Sequence, residues 1–129
     1  MKSYEEIKKE IIQNYKKNKQ KKYMHFDKPL GVGAIGNLLQ KFQKIEYVKS
    51  YRHLPYIQFS IRFNKYGYEN SKINKKAMHT KLRKITLPSH HDALLFKYYG
   101  SILASCYEEY VMKNDLNELA VAYRKNRSN

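Results

Sequence analysis

Residues 56–63, YIQFSIRF, and residues 81–92, KLRKITLPSHHD, decide how this chain folds. In the first, Ile57, Phe59, Ile61 and Phe63 alternate with Gln58, Ser60 and Arg62, the period-two pattern of a strand with one apolar face. The second opens with KLRKITL, a short strand candidate ended by Pro88, which has no N–H to give to a ladder. Between them, NKYGYENSKINKK (64–76) is rich in turn residues and lysine. The simplest joint reading is an antiparallel pair with a long, exposed, basic connection.

Working outward, the segment after Pro88 is the best-defined helix. Ser89 and Asp92 form a capping-box pair, and Leu95, Tyr98, Tyr99, Ile102, Leu103, Cys106 and Tyr110 supply a broad apolar face. Lys113 and Asn114 mark its end. Cys106 sits within that face and reads as a core residue, with no positioned histidine to make it a nucleophile. Towards the N-terminus, Ser3 and Glu6 form another capping box, and Tyr4, Ile7, Ile11, Ile12 and Tyr15 share one helical stripe over residues 3–15. The continuation from Lys16 to Lys22 carries five lysines and no apolar partner, so residues 1–25 read as a basic amphipathic helix and tether. Residues 26–129 read as one further domain. The fold class expected is α+β: N-terminal helices, a short antiparallel strand pair and a long packing helix.

Composition bounds the function. The 129 residues suffice for one domain, and 42% hydrophobic residues are enough to bury a core. The formal charge of +15 is unevenly placed: residues 1–84 hold 21 basic and 6 acidic side chains, residues 85–129 five of each. Such an excess points to an anionic partner. Lysine supplies 21 of the 26 cations and also serves as ordinary solubilising surface, so the five arginines, whose planar forks suit phosphate, carry more information. The single cysteine allows no intramolecular disulfide, and MKSYEEIKKE lacks a secretory apolar run, so a cytoplasmic location is expected. No stretch approaches the roughly 20 apolar residues of a membrane span.

Several enzyme-like patterns compete with plain binding. GVGAIG (31–36) is formally a GxGxxG, but HFDKPL before it does not read as a buried strand, so these glycines are taken to shape the turn into a helix whose apolar face is Ile35, Leu38, Leu39, Phe42 and Ile45. Glu108–Glu109 read as surface charge without a partner. His90 and His91 beside Asp92 suggest a metal site or base, yet adjacent side chains at a helix start diverge. Arg83 followed by His90 resembles the arginine–histidine spacing of the helical ribonucleases known as HEPN domains. There the pair lies on one helix, whereas here Pro88 intervenes.

A closer likeness emerges when RKITLPSHHD is read with AYRKNRSN (122–129). The first resembles the R-x-L-x-I-P-x-x-x-D element near the start of reverse transcriptases of the group II intron and retron kind, with Arg83, Ile85, Leu87, Pro88 and Asp92 in matching places. The second resembles the F-R-P-G-R-S element that follows in those enzymes, with Tyr123, Arg124, Arg127 and Ser128 matching. Order, separation and the helix between them agree, and the intervening sequence is most like the abortive-infection, anti-phage branch. Ala93 stands where the intron enzymes carry arginine, and Lys125–Asn126 replace Pro-Gly.

The resemblance covers roughly residues 80–129 and implies part of the fingers of a right-handed polymerase. It assigns Arg83 and Arg124 to nucleotide phosphates, and Lys125, Arg127 and Ser128 to template RNA or DNA; Lys81 and Lys84, the basic end of the strand pair, are expected to join them on the nucleic acid. No palm aspartates and no YxDD turn occur here, so the chain is expected to be the front piece of a longer enzyme, inactive alone. Mg2+ is expected only in the intact polymerase. The alternatives are a freestanding basic RNA-binding module and the ribonuclease using Arg83 and His90.

Overall fold

The strand pattern at 57–63 extends further than the alternation alone implies. The computed structural model describes residues 2–17, 25–68, 76–117 and Arg124, with backbone alone for 65–68 and 76–79. Within it, β1 (Ile57–Tyr68) and β2 (Lys76–Leu87) form a two-stranded antiparallel hairpin. Its register runs from Ile57 opposite Leu87 to Tyr68 opposite Lys76. Twelve residues in each strand span about 40 Å, far more than the short pair expected. Cross-strand hydrogen bonding continues outward through the lysine- and tyrosine-rich segments that the sequence marks as connection.

The remaining elements form a helical body: α1 (Tyr4–Lys17), α2 (Val32–Phe42), the short α3 (Ile45–Ser50) and α4 (His90–Lys113). Helix α1 is started as its sequence predicts. Ser3 N–H donates to Glu6 Oε2 at 2.7 Å, and Glu6 N–H donates back to Ser3 Oγ at 3.3 Å. Its Ile7 and Ile11 meet Ile35, Leu38, Leu39 and Phe42 of α2 and Leu94, Leu95 and Tyr98 of α4 in one core. Residues 4–17 thus share one core with the helices that follow residue 25. Helix α2 starts at Gly31, and no glycine there has a positive φ or a crowded Cβ position, so GVGAIG builds no phosphate cradle.

Helix α4 departs from its expected burial. Leu94, Leu95 and Tyr98 are buried, but Leu103 is 68% and Tyr110 60% exposed, and Cys106 is exposed as well. The physical reason is which stripe is covered. Helices α1 and α2 pack on Leu95, Tyr98 and Ile102, and Lys2 N–H reaches on to Ser105 Oγ at 2.6 Å, while Leu103, Cys106 and Tyr110 fall on the neighbouring stripe of the helix. Ile45, assigned by spacing to the face of α2, begins α3 instead and is 60% exposed. Helix α4 ends in a Schellman turn, with Leu116 N–H on the Val111 carbonyl at 3.0 Å and Asp115 at φ 56°. No helix among the described residues is long and apolar enough to cross a membrane.

Candidate nucleic-acid interface

Among the described residues the hairpin lies against no helix, and side chains on both of its faces are exposed, Phe59 and Phe63 on one and Arg62, Leu82 and Lys84 on the other. Alternation along the strands fixes what each face carries. Opposite pairs Phe59–Ile85, Ile61–Arg83 and Phe63–Lys81 share one face, and Ser60–Lys84, Arg62–Leu82 and Asn64–Thr80 share the other. The register therefore separates a set that the sequence groups together: Lys81 and Arg83 lie among apolar side chains, while Lys84 sits with Arg62 on the polar face. Arg83 places its guanidinium 5.1 Å from the centroid of the Phe63 ring, a cation–π contact along the face. Phe59 and Phe63 remain 43% and 42% exposed because nothing in the body covers them.

The chain enters and leaves the hairpin through segments tied to one carboxylate. Asp92, fully buried in the first turn of α4, accepts from Ser89 Oγ at 2.7 Å and from His53 Nδ1 at 2.7 Å, and the Tyr51 hydroxyl also donates to it. Tyr51 and His53 precede β1, and Ser89 follows β2. Ser89 Oγ also accepts from Asp92 N–H at 3.0 Å, the N-cap bond expected from the sequence. Burial opposes ionisation of Asp92, yet the bonds from Ser89, His53 and Tyr51 outweigh it and hold the carboxyl below its usual range. Burial and the bond to Asp92 push the Tyr51 phenol upward. The His53 ring also stacks on Phe96 of α4 at 5.9 Å.

A second carboxylate closes the same end of α4. Asp27 accepts from His90 Nδ1 at 2.8 Å, from the His91 backbone N–H at 3.1 Å and from His91 Nδ1 at 3.3 Å; the His25 ring lies beside it, Nδ1 at 3.2 Å, without a hydrogen bond. Asp27 is itself largely desolvated, but these bonds keep its carboxyl well below the ordinary carboxylate range. The helix N-terminus, with its outward N–H groups, is thus neutralised from within the chain. His90 and His91 do converge, contrary to the divergence expected of neighbours, because Asp27 reaches both. They meet a carboxylate oxygen, and no group of three candidate ligands that could hold a metal occurs among the described residues.

Arg124 grips Glu108 through Nε and Nη2, both at 2.9 Å, and donates to the Asn117 carbonyl and Oδ1 at 3.2 and 3.0 Å. Its side chain is 5% exposed. Glu108, read as a carboxylate without a partner, therefore has one, and the C-terminal arginine is folded onto α4. Lys125, Arg127 and Ser128 lie outside the described residues. Arg83 and His90 are not brought together: Arg83 stands about 13 Å of strand before Leu87 and leans over Phe63, while His90 is buried against Asp27.

Sequence reasoning passed over His25, Asp27, Tyr51 and His53. A signal existed in HFD (25–27) and YRH (51–53), which with HH (90–91) hold four of the five histidines. Nothing local reveals that these stretches converge on two aspartates. No protein-family model matches the chain, and no curated protein matches it either.

Proposed function

We propose that the chain is the fingers segment of an RNA-directed DNA polymerase of the anti-phage defence kind. Its hairpin holds template RNA or DNA and, in the whole enzyme, nucleotide phosphates. The observation that carries this reading is the uncovered hairpin: Arg62, Lys81, Arg83 and Lys84 are all exposed, and no acidic residue lies in 57–64 or 80–87. A cationic blade of this kind binds phosphate and releases counterions. The same cations serve a freestanding single-stranded RNA-binding module. The polymerase reading is preferred because the hairpin, Pro88, a long helix and the Arg124 element follow one another in the order of the motifs.

In this reading Arg83 approaches the nucleotide, while Arg124, committed to Glu108 and Asn117, holds the returning chain on α4. Asp27 and Asp92 are engaged by histidines and hydroxyls and do not fit as metal ligands. In this reading divalent metal belongs to palm carboxylates of the whole enzyme. The test is to read the coding sequence beyond codon 129 and assay the product of the whole frame. A carboxylate-bearing palm with a YxDD turn is expected there. In that enzyme Arg83→Ala lowers incorporation about a hundredfold and leaves thermal stability unchanged, since the side chain is exposed. A frame without such a palm, or unchanged incorporation, overturns the reading.

A further inference from the structure

We infer that the hairpin face carrying Phe59, Phe63, Lys81 and Arg83 is a stacking platform for an unpaired nucleic-acid strand, with bases on the rings and phosphates on the cations. The inference rests on the proposed nucleic-acid role and adds to it the face, the strandedness of the ligand and the contact that selects it.

Three observations point the same way. First, among the described residues no second layer covers the two-stranded hairpin, and two large rings stand 43% and 42% exposed on one face of it, about 13 Å apart along β1. Second, the cations on that face are interleaved with the rings: Lys81 is directly opposite Phe63, and the Arg83 guanidinium lies over the same ring at 5.1 Å. Aromatic rings and guanidinium planes both accept bases by stacking. Third, among the described side chains of 57–64 and 80–87 the opposite face has two cations, Arg62 and Lys84, and no ring, so over this stretch charge and stacking coincide on one side.

Charge decides between occupants. Residues 57–87 carry eight basic side chains and one acidic, so a second copy of the hairpin would meet its own charge. An apolar protein segment would strand Lys81 and Arg83 without counterions. A polyanion with exposed π-faces satisfies both features. A duplex supplies the phosphates but keeps its base faces stacked inside, so it would use only the charge.

The experiment compares binding of the 129-residue chain to an RNA oligomer, the DNA oligomer of equal sequence, an abasic oligomer of equal length and a duplex, by fluorescence anisotropy over a salt series. The base-bearing single strands are expected to bind about tenfold more tightly than the abasic oligomer or the duplex. Phe59→Leu and Phe63→Leu keep apolar cross-strand packing and remove the π-face. Each is expected to remove most of that difference without changing the salt slope, and Phe63→Trp to restore it. Equal affinity for base-bearing and abasic oligomers, or leucine variants that bind as the original does, overturns the platform while leaving phosphate binding intact. Absence of binding to every oligomer at low salt overturns the platform and the nucleic-acid role together. The RNA and DNA arms separate the two sources of the same chemistry.

Discussion

The helical body and the hairpin are built from similar sequence chemistry and end in opposite states. In the body, Ile35, Leu39, Phe42 and Leu94 are fully buried between three helices, and their identities are explained by packing within the chain. In the hairpin, Phe59, Phe63 and Leu82 are 42% to 61% exposed, and no core among the described residues takes them in. Buried apolar residues report on the fold. Exposed ones beside uncompensated cations report on something outside it.

The comparison breaks most visibly if the body does not behave as one cooperative unit. Leu39→Ala is expected to cost about 3 kcal/mol, because a fully buried leucine leaves a cavity between α1, α2 and α4. Chemical denaturation followed by circular dichroism measures this. Separate transitions for α1 and the remaining helices would show that the shared core does not couple them.

Next in size is the joint between the two regions. Asp92→Ala leaves Ser89, Tyr51 and His53 without their shared acceptor, at an expected cost of about 2 kcal/mol. Among the described residues the hairpin has no other packing on the helices, so the segments around residues 51–53 and 88–89 are expected to lose hydrogen-exchange protection more than α1 does. Uniform loss across the helices would mean that Asp92 caps α4 and does nothing for the hairpin.

Acid should loosen the same joint. Asp27 and Asp92 are held below their usual range in the folded chain, so the unfolded chain takes up protons first as pH falls. Their contribution to stability is complete above the unfolded value of about 4 and is lost progressively below it, as pH falls towards the depressed folded values. A thermal-stability profile should therefore decline below about pH 4, less steeply in Asp92→Asn. A decline that Asp92→Asn leaves unaltered would assign the acid sensitivity to other groups.

What could be read from the sequence follows how local each cause is. The alternation at Ile57–Phe63, the Ser3–Glu6 and Ser89–Asp92 caps and the apolar stripe of α1 depend on neighbours within four residues, and they stand in the structure. The exposure of Leu103, Cys106 and Tyr110 depends on which stripe of α4 the helices α1 and α2 cover, which the pattern of α4 alone does not encode. The Asp27 joint links residues 63 and 64 positions apart, and the Arg124–Glu108 pair closes a loop of 16. Neither separation leaves a trace in the local pattern. The candidate interface was half legible: Lys81, Arg83 and Lys84 were marked as a basic strand end, but only the register shows that two of them share a face with the rings.

The smallest expected effect sharpens the contrast most. Leu82 is an apolar residue on the polar face, opposite Arg62 and 61% exposed. If the hairpin obeyed the same rule as the body, replacing this leucine would cost as much as replacing Leu39. Leu82→Thr keeps a strand-favouring side chain and removes little buried area, so stability is expected to change by less than about 0.5 kcal/mol. Nucleic-acid affinity is expected to stay unchanged, because the ring-bearing face is the other one. A loss of stability comparable with Leu39→Ala would show that the polar face is covered after all. A loss of affinity without a loss of stability would move the binding face across the sheet, since the side chain at 82 points away from Phe59 and Phe63.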